Sequence, residues 1–354
     1  MKRLIGVFMG GKSPEHDVSI ITGTQVMCGL NQSEFDVLAV YEDYNGNLYA
    51  KQDVYDVKSV VNMAKGKNKV EYCHKGLKKR LKKYPLYCAI PCYHGGNAEG
   101  GGQAYLFEKY AIPYTSSGIL GGSIGMDKLT QKELAKSVSV PVLEYSFIDS
   151  NTDINKVDLG QEKEWVIKPN ASGSSIGVSK AKGREEVKKA LDLALNFDNK
   201  AIIERCAQDF YELNVSALKV GNSVILSEIE MPLSNGILTF EDKYLKNGKI
   251  KGMKNLTRQI PAQIPKETQN QVERFATILY EKFSLFGIVR FDFIVEGENV
   301  YFNEVNTNPG SLSYYMWRGK GITFDKLLDL AIKEGVNRAE KEQKLITRIQ
   351  TGII

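Results

Sequence analysis

The chain lacks a hydrophobic run long enough to cross a membrane. A membrane span needs roughly 18 or more consecutive apolar residues, and no segment of the 354 residues approaches that length. The apolar segment at residues 4–9 runs directly into Gly10 and Gly11 and is too short for a signal peptide. We therefore expect a cytoplasmic protein that has no membrane partner.

Cysteine and histidine are also scarce, with five and three residues respectively. An odd number of cysteines without a repeating spacing is not typical of a disulfide framework. Cys88, Cys92 and His94 would suggest a zinc site, but no CxxC pair accompanies them. Because both cysteines lie in an apolar run, we interpret them as small buried hydrophobic residues.

A strong excess of charge of either sign is missing as well. The formal net charge is +5, and the single basic run, residues 74–83, is interpreted as the solvated side of a short helix. Nucleic-acid binding would require a broader basic surface, so no nucleic-acid partner is expected. With 42% hydrophobic and 25% charged residues, the composition is that of a globular protein, and the length predicts two or three domains.

Short apolar runs that end in glycine-rich loops organise the first third of the chain. Residues 3–9 lead through Gly10 and Gly11 to a predicted helix at 19–30, which is the beginning of an α/β layer. A second apolar run ends in the loop 93–103, whose glycines predict irregular structure. Neither loop matches a dinucleotide fingerprint or a P-loop.

A loop of small and hydroxyl residues marks the middle of the chain. A strand ending at Lys168 is followed by residues 169–178, an arrangement typical of phosphate binding, although ordinary turns use the same residues. A helix is predicted at 128–137. The long polar segment 232–254 is typical of a lid over a site.

Two β-prone runs, residues 287–295 and 299–306, flank a Glu-Gly-Glu turn and predict a β-hairpin. Strand alternation gives each run a polar face, with Arg290 and Asp292 on the first and Glu304 and Asn306 on the second. Carboxylate and amide oxygens on neighbouring strands are suitable ligands for Mg²⁺. The alternative is a polar face turned to solvent, as antiparallel sheets often have.

Seven motifs together resemble one family, the D-alanine-D-alanine ligases of the ATP-grasp superfamily, over nearly the whole chain. In chain order they are GGKSPEHDVS from Gly10, HGGNAEGGGQ from His94, MDK from Met126, KPNASGSSIGVSK from Lys168, DKY from Asp242, RFDF from Arg290 and NEVNTNPG from Asn303. The resemblance implies an α/β (α+β) fold, with the nucleotide between two antiparallel sheets. It implies three domains, an N-terminal substrate domain at 1–120 and two ATP-grasp subdomains at 121–205 and 206–354.

The resemblance also implies a reaction. ATP would phosphorylate the carboxylate of one amino acid, and the amine of a second would attack the acyl phosphate, giving a dipeptide for peptidoglycan precursors. The implied cofactors are ATP and two Mg²⁺ ions, with Mn²⁺ as a substitute, and the implied assembly is a homodimer. Two alternatives stay open: another ATP-grasp carboxylate-amine ligase, and a non-catalytic nucleotide-binding regulator that would have lost the metal ligands or Arg290.

Site residues follow from the matching motifs. The metal ligands would be Asp292, Glu304 and Asn306. The nucleotide would contact Lys128, Lys168, Ser174, Glu204, Glu212 and Lys243, with Glu204 at the adenine and Glu212 at the ribose. The catalytic groups would be Glu15, Ser174, Tyr244, Arg290 and the Gly310 N–H, of which the last two would stabilise an oxyanion. Substrate amino acids would be held by Glu15, His94, Ser311 and Ser313.

The chain departs from the family pattern just after Gly310. Typical members have a longer segment there, whereas this chain has Tyr314, Tyr315 and Trp317. We expect these aromatic side chains to add bulk to the pocket of the second, acceptor amino acid. The hypothesis from the sequence is therefore an acceptor other than D-alanine, with D-serine, D-lactate and a larger amino acid as candidates.

Overall fold

The computed structural model describes residues 2–149, 151–152, 157, 164–233, 245–246, 249–250 and 258–345. These residues form a mixed α/β structure with three main sheets, which lie within residues 3–91, 145–205 and 210–306. The predicted domain boundaries at 120 and 205 stay a prediction. No helix in the described ranges has both the length and the apolar character that a membrane crossing requires.

The first sheet contains seven strands: β1 (Arg3–Gly10), β2 (Phe35–Glu42), β3 (Leu48–Gln52), β4 (Lys69–Cys73), β5 (Gly76–Lys79), β6 (Lys82–Pro85) and β7 (Cys88–Pro91). Their order is β6-β5-β4-β3-β2-β1-β7. Strand β1 runs parallel to both β2 and β7, whereas the other pairs are antiparallel. Because parallel strands end at the same edge, the loops after β1 and β7 lie side by side.

Three helices accompany this sheet: α1 (His16–Gly29), α2 (Val57–Asn62) and α3 (Gln103–Lys109). Residues 66–68 add a short 3₁₀ turn. The prediction of irregular structure throughout 93–103 was wrong, since Ala98–Gly102 forms a π-helical turn that continues into α3. Gly101 has φ +102° in this turn, and its ideal Cβ would lie 2.7 Å from the Ile119 carbonyl oxygen, so glycine is required there.

The prediction of a short helix at residues 74–83 was also wrong. This basic run forms most of the hairpin of β5 and β6, in which Leu77 is paired with Tyr84. Leu77 is buried whereas Lys78 is exposed, which is the alternation of a strand rather than the periodicity of a helix. Lysines on an edge strand such as β6 disfavour pairing with another chain.

The second sheet contains β8 (Tyr145–Asp149), β9 (Glu164–Pro169), β10 (Ser179–Lys182) and β11 (Lys200–Arg205). Its order is β10-β9-β11-β8 and every pair is antiparallel. The helices of this region are α4 (Ile119–Met126), α5 (Lys128–Ser137) and α6 (Gly183–Ala194). Helix α5 has the predicted bounds, and α6 buries Val187, Leu191 and Ala194 against the sheet.

The remaining strands are β12 (Phe210–Val220), β13 (Ser223–Pro232), β14 (Leu245–Lys246), β15 (Lys249–Ile250), β16 (Arg258–Gln259), β17 (Val289–Glu296) and β18 (Asn299–Asn306). Five of them form the third sheet, in the antiparallel order β16-β13-β12-β17-β18. Helices α7 (Lys266–Lys282) and α8 (Phe324–Glu342) follow β16 and β18, and residues 310–320 form an irregular 3₁₀ segment.

The predicted hairpin of β17 and β18 is confirmed. On β17, Val289, Phe291, Phe293 and Val295 are buried, and they pack in the core that also contains Leu279 of α7. Burying one face in this core leaves the opposite face of the hairpin polar, and on that face Asn303 of β18 accepts a hydrogen bond from Lys168 of the second sheet. The hydrophobic core therefore fixes which residues can form a site.

Candidate active site

Four polar side chains form a row on the third sheet: Arg290, Asp292, Glu304 and Asn306, here called the polar row. Arg290 is paired across the strands with Asn306, and Asp292 with Glu304. The Arg290 guanidinium donates to both Asp292 oxygens at 2.7 Å, and the Asn306 amide donates to Asp292 Oδ2 at 3.2 Å. The Arg290 and Asp292 side chains keep 20% and 16% of their surface exposed, so the polar row is accessible to a ligand.

A β-bulge adds a residue to this row. The register shifts between Asp292 and Phe293, and on β18 the buried residues Phe302 and Val305 are three positions apart. As a result Asn303 and Glu304 both lie on the polar face. Asn303 was missed by the sequence analysis, although the three-residue spacing of its apolar neighbours was the signal.

Lys132, Lys168 and Glu204 form a second cluster, here called the buried triad. Lys168 lies 2.8 Å from Glu204 Oε2, and Lys132 pairs with the other carboxylate oxygen. Lys168 also donates to Asn303 Oδ1 at 3.1 Å, which joins the two clusters. Lys132 was missed by the sequence analysis. Its position four residues after Lys128, on the same helix face, was the available signal.

Burial and charge act in opposite directions in the buried triad. For Glu204, burial raises the pKa, but Lys132 and Lys168 outweigh it and the pKa is lowered. For Lys168, burial lowers the pKa, and Glu204 and Glu304 outweigh it, so the pKa is raised. For Lys132, burial prevails over Glu204 and the pKa is lowered. The surroundings therefore stabilise the charges of Glu204 and Lys168 but not that of Lys132.

The N-terminus of α5 holds the hydroxyl-rich loop in place. Lys128 donates to the Ser172 carbonyl at 2.6 Å and lies 3.3 Å from Glu304. Asp127 accepts from the Thr130 amide at 2.7 Å and from the Asn170 side chain at 2.8 Å. The loop is thus fixed to a helix N-terminus, where backbone amides favour an anion.

Glu15, just before α1, meets this loop from the first sheet. Its carboxylate accepts a hydrogen bond from the Ser174 hydroxyl, so the structure brings together two predicted site residues that are far apart in sequence. A Cβ at Gly95 or Gly173 would lie 2.6 Å or 2.7 Å from Glu15 Oε2. Glycine at these two positions therefore leaves room for the Glu15 carboxylate.

His94 is buried behind the polar row. Its Nε2 lies 2.8 Å from Thr22 Oγ1, and the Asn308 backbone lies near enough to act on its charge. Burial, assisted by the positive charge of Arg290, lowers the pKa of His94 to about 4 despite the Asn308 contact. The imidazole is therefore neutral at physiological pH.

Glu99 was missed by the sequence analysis, although it lies within the motif that begins at His94. Its Oε2 accepts from the Gly95 amide at 2.7 Å, and its Oε1 accepts from the Thr307 hydroxyl and the Asn308 amide, both at 2.9 Å. Burial raises its pKa to about 7, with the negative charge of Glu15 adding to the effect.

The aromatic residues after Gly310 do not all line a pocket. Trp317 is fully buried and donates from Nε1 to Ser216 Oγ at 3.2 Å. Tyr314 stacks on Phe324, with ring centroids 4.5 Å apart. The expectation that both enlarge the acceptor pocket was wrong, because their apolar surface is part of the core. Tyr315 does lie near Arg290.

The other predicted residues differ in their placement. Glu212 lies on β12, opposite Ile294, within electrostatic range of Lys168. The Ser311 amide donates to Thr22 Oγ1 at 3.2 Å, whereas Ser313 is fully buried and its hydroxyl has no hydrogen-bond partner within the described ranges. Gly310 begins the 3₁₀ segment. Lys243, Tyr244 and most of the predicted lid lie outside the described residues.

Comparison with known proteins identifies the arrangement. Two family models match, the D-ala D-ala ligase N-terminus over residues 4–117 and the C-terminus over residues 134–333. The chain belongs to the D-alanine-D-alanine ligase family. A D-alanine-D-alanine ligase from Thermosipho melanesiensis is 31% identical, over 99% of this chain and 98% of the relative.

Solved structures of this ligase family have the same fold. The D-alanine-D-alanine ligase from Coxiella burnetii matches with a TM-score of 0.83 and 21% identity, over 98% of this chain and 97% of that one. The Bacillus anthracis ligase complexed with ATP matches with a TM-score of 0.70 and 22% identity, over 96% and 99%. The family resemblance, the ATP-grasp fold and the ligase assignment predicted from the motifs are confirmed.

Proposed function

We propose that this protein joins two D-alanine molecules at the expense of ATP, through an acyl phosphate, and so supplies a dipeptide for peptidoglycan precursors in the cytoplasm. Family membership supports the reaction class. The observation that carries the proposal is the meeting of the polar row with Lys128, Lys168 and their loop. The lysine ammonium groups can bind the phosphates of ATP, and they lie beside the carboxylate and amide oxygens that can bind a metal ion.

The residues fit a magnesium site. Asp292, Glu304 and Asn306 offer two carboxylates and one amide on adjacent strands, a donor set of hard oxygen ligands that suits Mg²⁺ or Mn²⁺. The described ranges contain no group of three or more His, Cys, Asp and Glu side chains that could hold a metal ion, whereas the proposed site uses two carboxylates and one amide. When bound, two such ions would neutralise negative charge on the phosphates.

In the first step the carboxylate of one D-alanine attacks the terminal phosphate of ATP, the bond from that phosphorus to the bridging oxygen breaks, and ADP leaves. Two negatively charged groups must approach, and the ammonium groups of Lys128 and Lys168 lower the repulsion between them. Glu15 would bind the ammonium group of the same D-alanine. Its contact with Ser174 would close the loop over the acyl phosphate, which is sensitive to water.

In the second step the neutral amine of another D-alanine attacks the carbonyl carbon of the acyl phosphate. The C–N bond forms, the amine loses a proton, the C–O bond to the phosphate breaks and inorganic phosphate leaves. The negative charge that develops on the former carbonyl oxygen would be stabilised by Arg290 and the Gly310 N–H. Ser311 and Ser313 are candidates for the acceptor carboxylate. In the same scheme His94 lies behind the first amino acid, Glu204 and Glu212 serve the adenosine, and Lys243 and Tyr244 complete the closed site.

D-alanine is the acceptor favoured here. Tyr314 and Trp317 pack in the core, which removes the main reason to expect a different acceptor. The test is ATP consumption and product analysis with D-alanine alone, and with D-alanine plus D-serine, D-lactate or L-alanine. D-alanyl-D-alanine as the main product is expected. Preferred formation of an L-amino-acid dipeptide, or no turnover with any of these amino acids, would contradict the proposal.

We further propose that the protein works as a homodimer, as the family resemblance implies. Light scattering during size-exclusion chromatography would give the mass directly. A mass close to 79 kDa, about twice the chain mass of 39.6 kDa, is expected.

A further inference from the structure

The loop after β7 holds the turn after β18 at three points. The first is the Tyr93 carbonyl, which accepts from the Asn308 side chain at 3.2 Å. Glu99 accepts from both the Thr307 hydroxyl and the Asn308 amide. Two segments from opposite ends of the chain are thereby joined by polar contacts.

The segment that is held lies between two candidate functional groups. Asn306 is the last residue of β18 and is fixed by its pairing with Arg290. Gly310 lies beyond the end of the strand, so no sheet pairing determines where its N–H points. The contacts to Thr307 and Asn308 therefore have a larger effect on the position of the Gly310 N–H than on the position of the Asn306 side chain. A misplacement of about 1 Å in a reacting geometry can lower a rate by about 10²-fold.

The donors around Glu99 require a carboxylate. Three donors, from Gly95, Thr307 and Asn308, point at its two oxygens. A glutamine has the same shape, but one of its oxygens is replaced by an NH₂ group, which can only donate. Whichever way the amide is turned, at least one of the three donors would face another donor. Burial disfavours the charge of Glu99, yet the surrounding donors match the charged form.

We propose that Glu99 is a positioning residue, which holds Thr307 and Asn308 so that the Gly310 N–H points to the oxyanion formed when the acceptor amine attacks. This inference rests on the proposed function. Glu99 would act through the turn and contact neither ATP nor amino acid. It should therefore affect the second chemical step more than the first.

Single-turnover rapid-quench experiments separate the two steps. Enzyme in excess over labelled ATP, with saturating D-alanine, gives the rate of ADP formation and the rate of dipeptide formation in the same samples. For Glu99→Gln we expect dipeptide formation to slow by about 10- to 100-fold, since an oxyanion donor is worth about 10² to 10³ in rate. ADP formation should slow by less than about threefold. Equal slowing of both steps, or no slowing of either, would overturn the inference.

Two further variants, Thr307→Val and the double variant with Glu99→Gln, extend the test, and the first does not depend on the folding of Glu99→Gln. Thr307→Val removes one donor with little change of shape, and we expect the same step-specific loss, about three- to tenfold. If Glu99→Gln does not fold, as judged by its melting temperature, Thr307→Val decides the question. The double variant should form dipeptide only slightly more slowly than Glu99→Gln alone, because the two residues act through one contact.

The matched control is Glu108→Gln. Glu108 lies on α3, is exposed, and accepts from the Tyr114 hydroxyl at 2.6 Å, so it does not touch the turn. Both rates should be unchanged, and a loss as large as that of Glu99→Gln would overturn the inference. If wild-type enzyme forms no dipeptide from D-alanine, the proposed function itself fails, and that result is distinct from a failure of the role of Glu99.

Discussion

The polar row and the buried triad are adjacent clusters of charge with different surroundings. In the polar row, Asp292 and Glu304 keep 16% and 27% of their side-chain surface exposed. In the buried triad, Lys132 and Glu204 keep 0% and 3%. Both clusters combine acidic and basic groups. They differ in how far a ligand can reach the charged groups and take the place of the side chains that now pair with them.

This difference indicates different roles. The carboxylates of the polar row are paired with Arg290 and Lys128, but a metal ion or phosphate can reach them from the open side. In the buried triad, the Lys132 and Glu204 charges are almost fully buried, and each depends on its partners to offset the loss of hydration. Lys168 is the member that reaches the polar face, through Asn303. We expect changes in the polar row to reduce activity at nearly constant stability, and a change at the fully buried Lys132 to reduce stability first.

The largest effect is expected for Asp292→Asn. The change removes one charged oxygen ligand from the proposed metal site and the bidentate partner of Arg290, so ATP turnover should fall by about 10³-fold or more. The melting temperature should change by only a few degrees, because the side chain is partly exposed. Glu298→Gln, at the exposed turn of the same hairpin, is the control and should keep full activity. Normal turnover by Asp292→Asn would exclude the assigned metal site.

Lys132→Met is the corresponding change in the buried triad. Of the two cations that the described structure places at Glu204, only Lys168 would remain. Breaking a buried ion pair costs about 3 to 5 kcal/mol of unfolding free energy. Urea denaturation would measure the loss. Lys136→Met, one turn later on α5, removes an exposed lysine 3.6 Å from Glu133 and should cost less than about 1 kcal/mol. If Lys132→Met kept its stability and lost nucleotide binding, the two clusters would not differ in the way proposed.

Much of the polar row could be predicted from the sequence. The alternation of β17 and the short turn define which residues share a face, and only the bulge at Asn303 departs from this simple rule. Local patterns are sufficient there because the contacts are between neighbouring strands of one hairpin.

The buried triad and the turn after Gly310 were less predictable for a physical reason. Lys132 meets Glu204, and Trp317 meets Ser216, through contacts between residues distant in sequence. Local composition cannot distinguish a buried lysine from an exposed one, or a core tryptophan from one lining a pocket. The basic run at 74–83 forms a hairpin rather than the predicted helix, because its side chains alternate between buried and exposed with a period of two, whatever their charge.

His94 differs from both clusters, because among the residues that the structure describes it has no carboxylate partner. Burial lowers its pKa to about 4, below the ordinary value of 6.5. Its contribution to stability is complete above pH 6.5 and is lost as the pH falls towards 4, since the unfolded chain binds the proton first. Between pH 7 and pH 5 the wild type should lose about 2 kcal/mol more unfolding free energy than His94→Gln. Urea denaturation at both pH values isolates this effect, because the two proteins share all other titrating groups. Equal losses would mean that His94 is not held neutral.

Trp317→Phe should have the smallest effect, a loss of about 1 to 2 kcal/mol in unfolding free energy from the hydrogen bond to Ser216 and from reduced packing. The side chain belongs to the core rather than to the polar row, so the acceptor preference should be the same as in the wild type when D-alanine and D-serine compete. Tyr315→Phe is the matched comparison, because the Tyr315 hydroxyl donates to Glu230 at 3.1 Å and its ring lies near Arg290. If Trp317→Phe shifted the acceptor preference as much as Tyr315→Phe, the buried Trp317 would also influence which acceptor is bound. The hypothesis of an acceptor other than D-alanine would then regain its support.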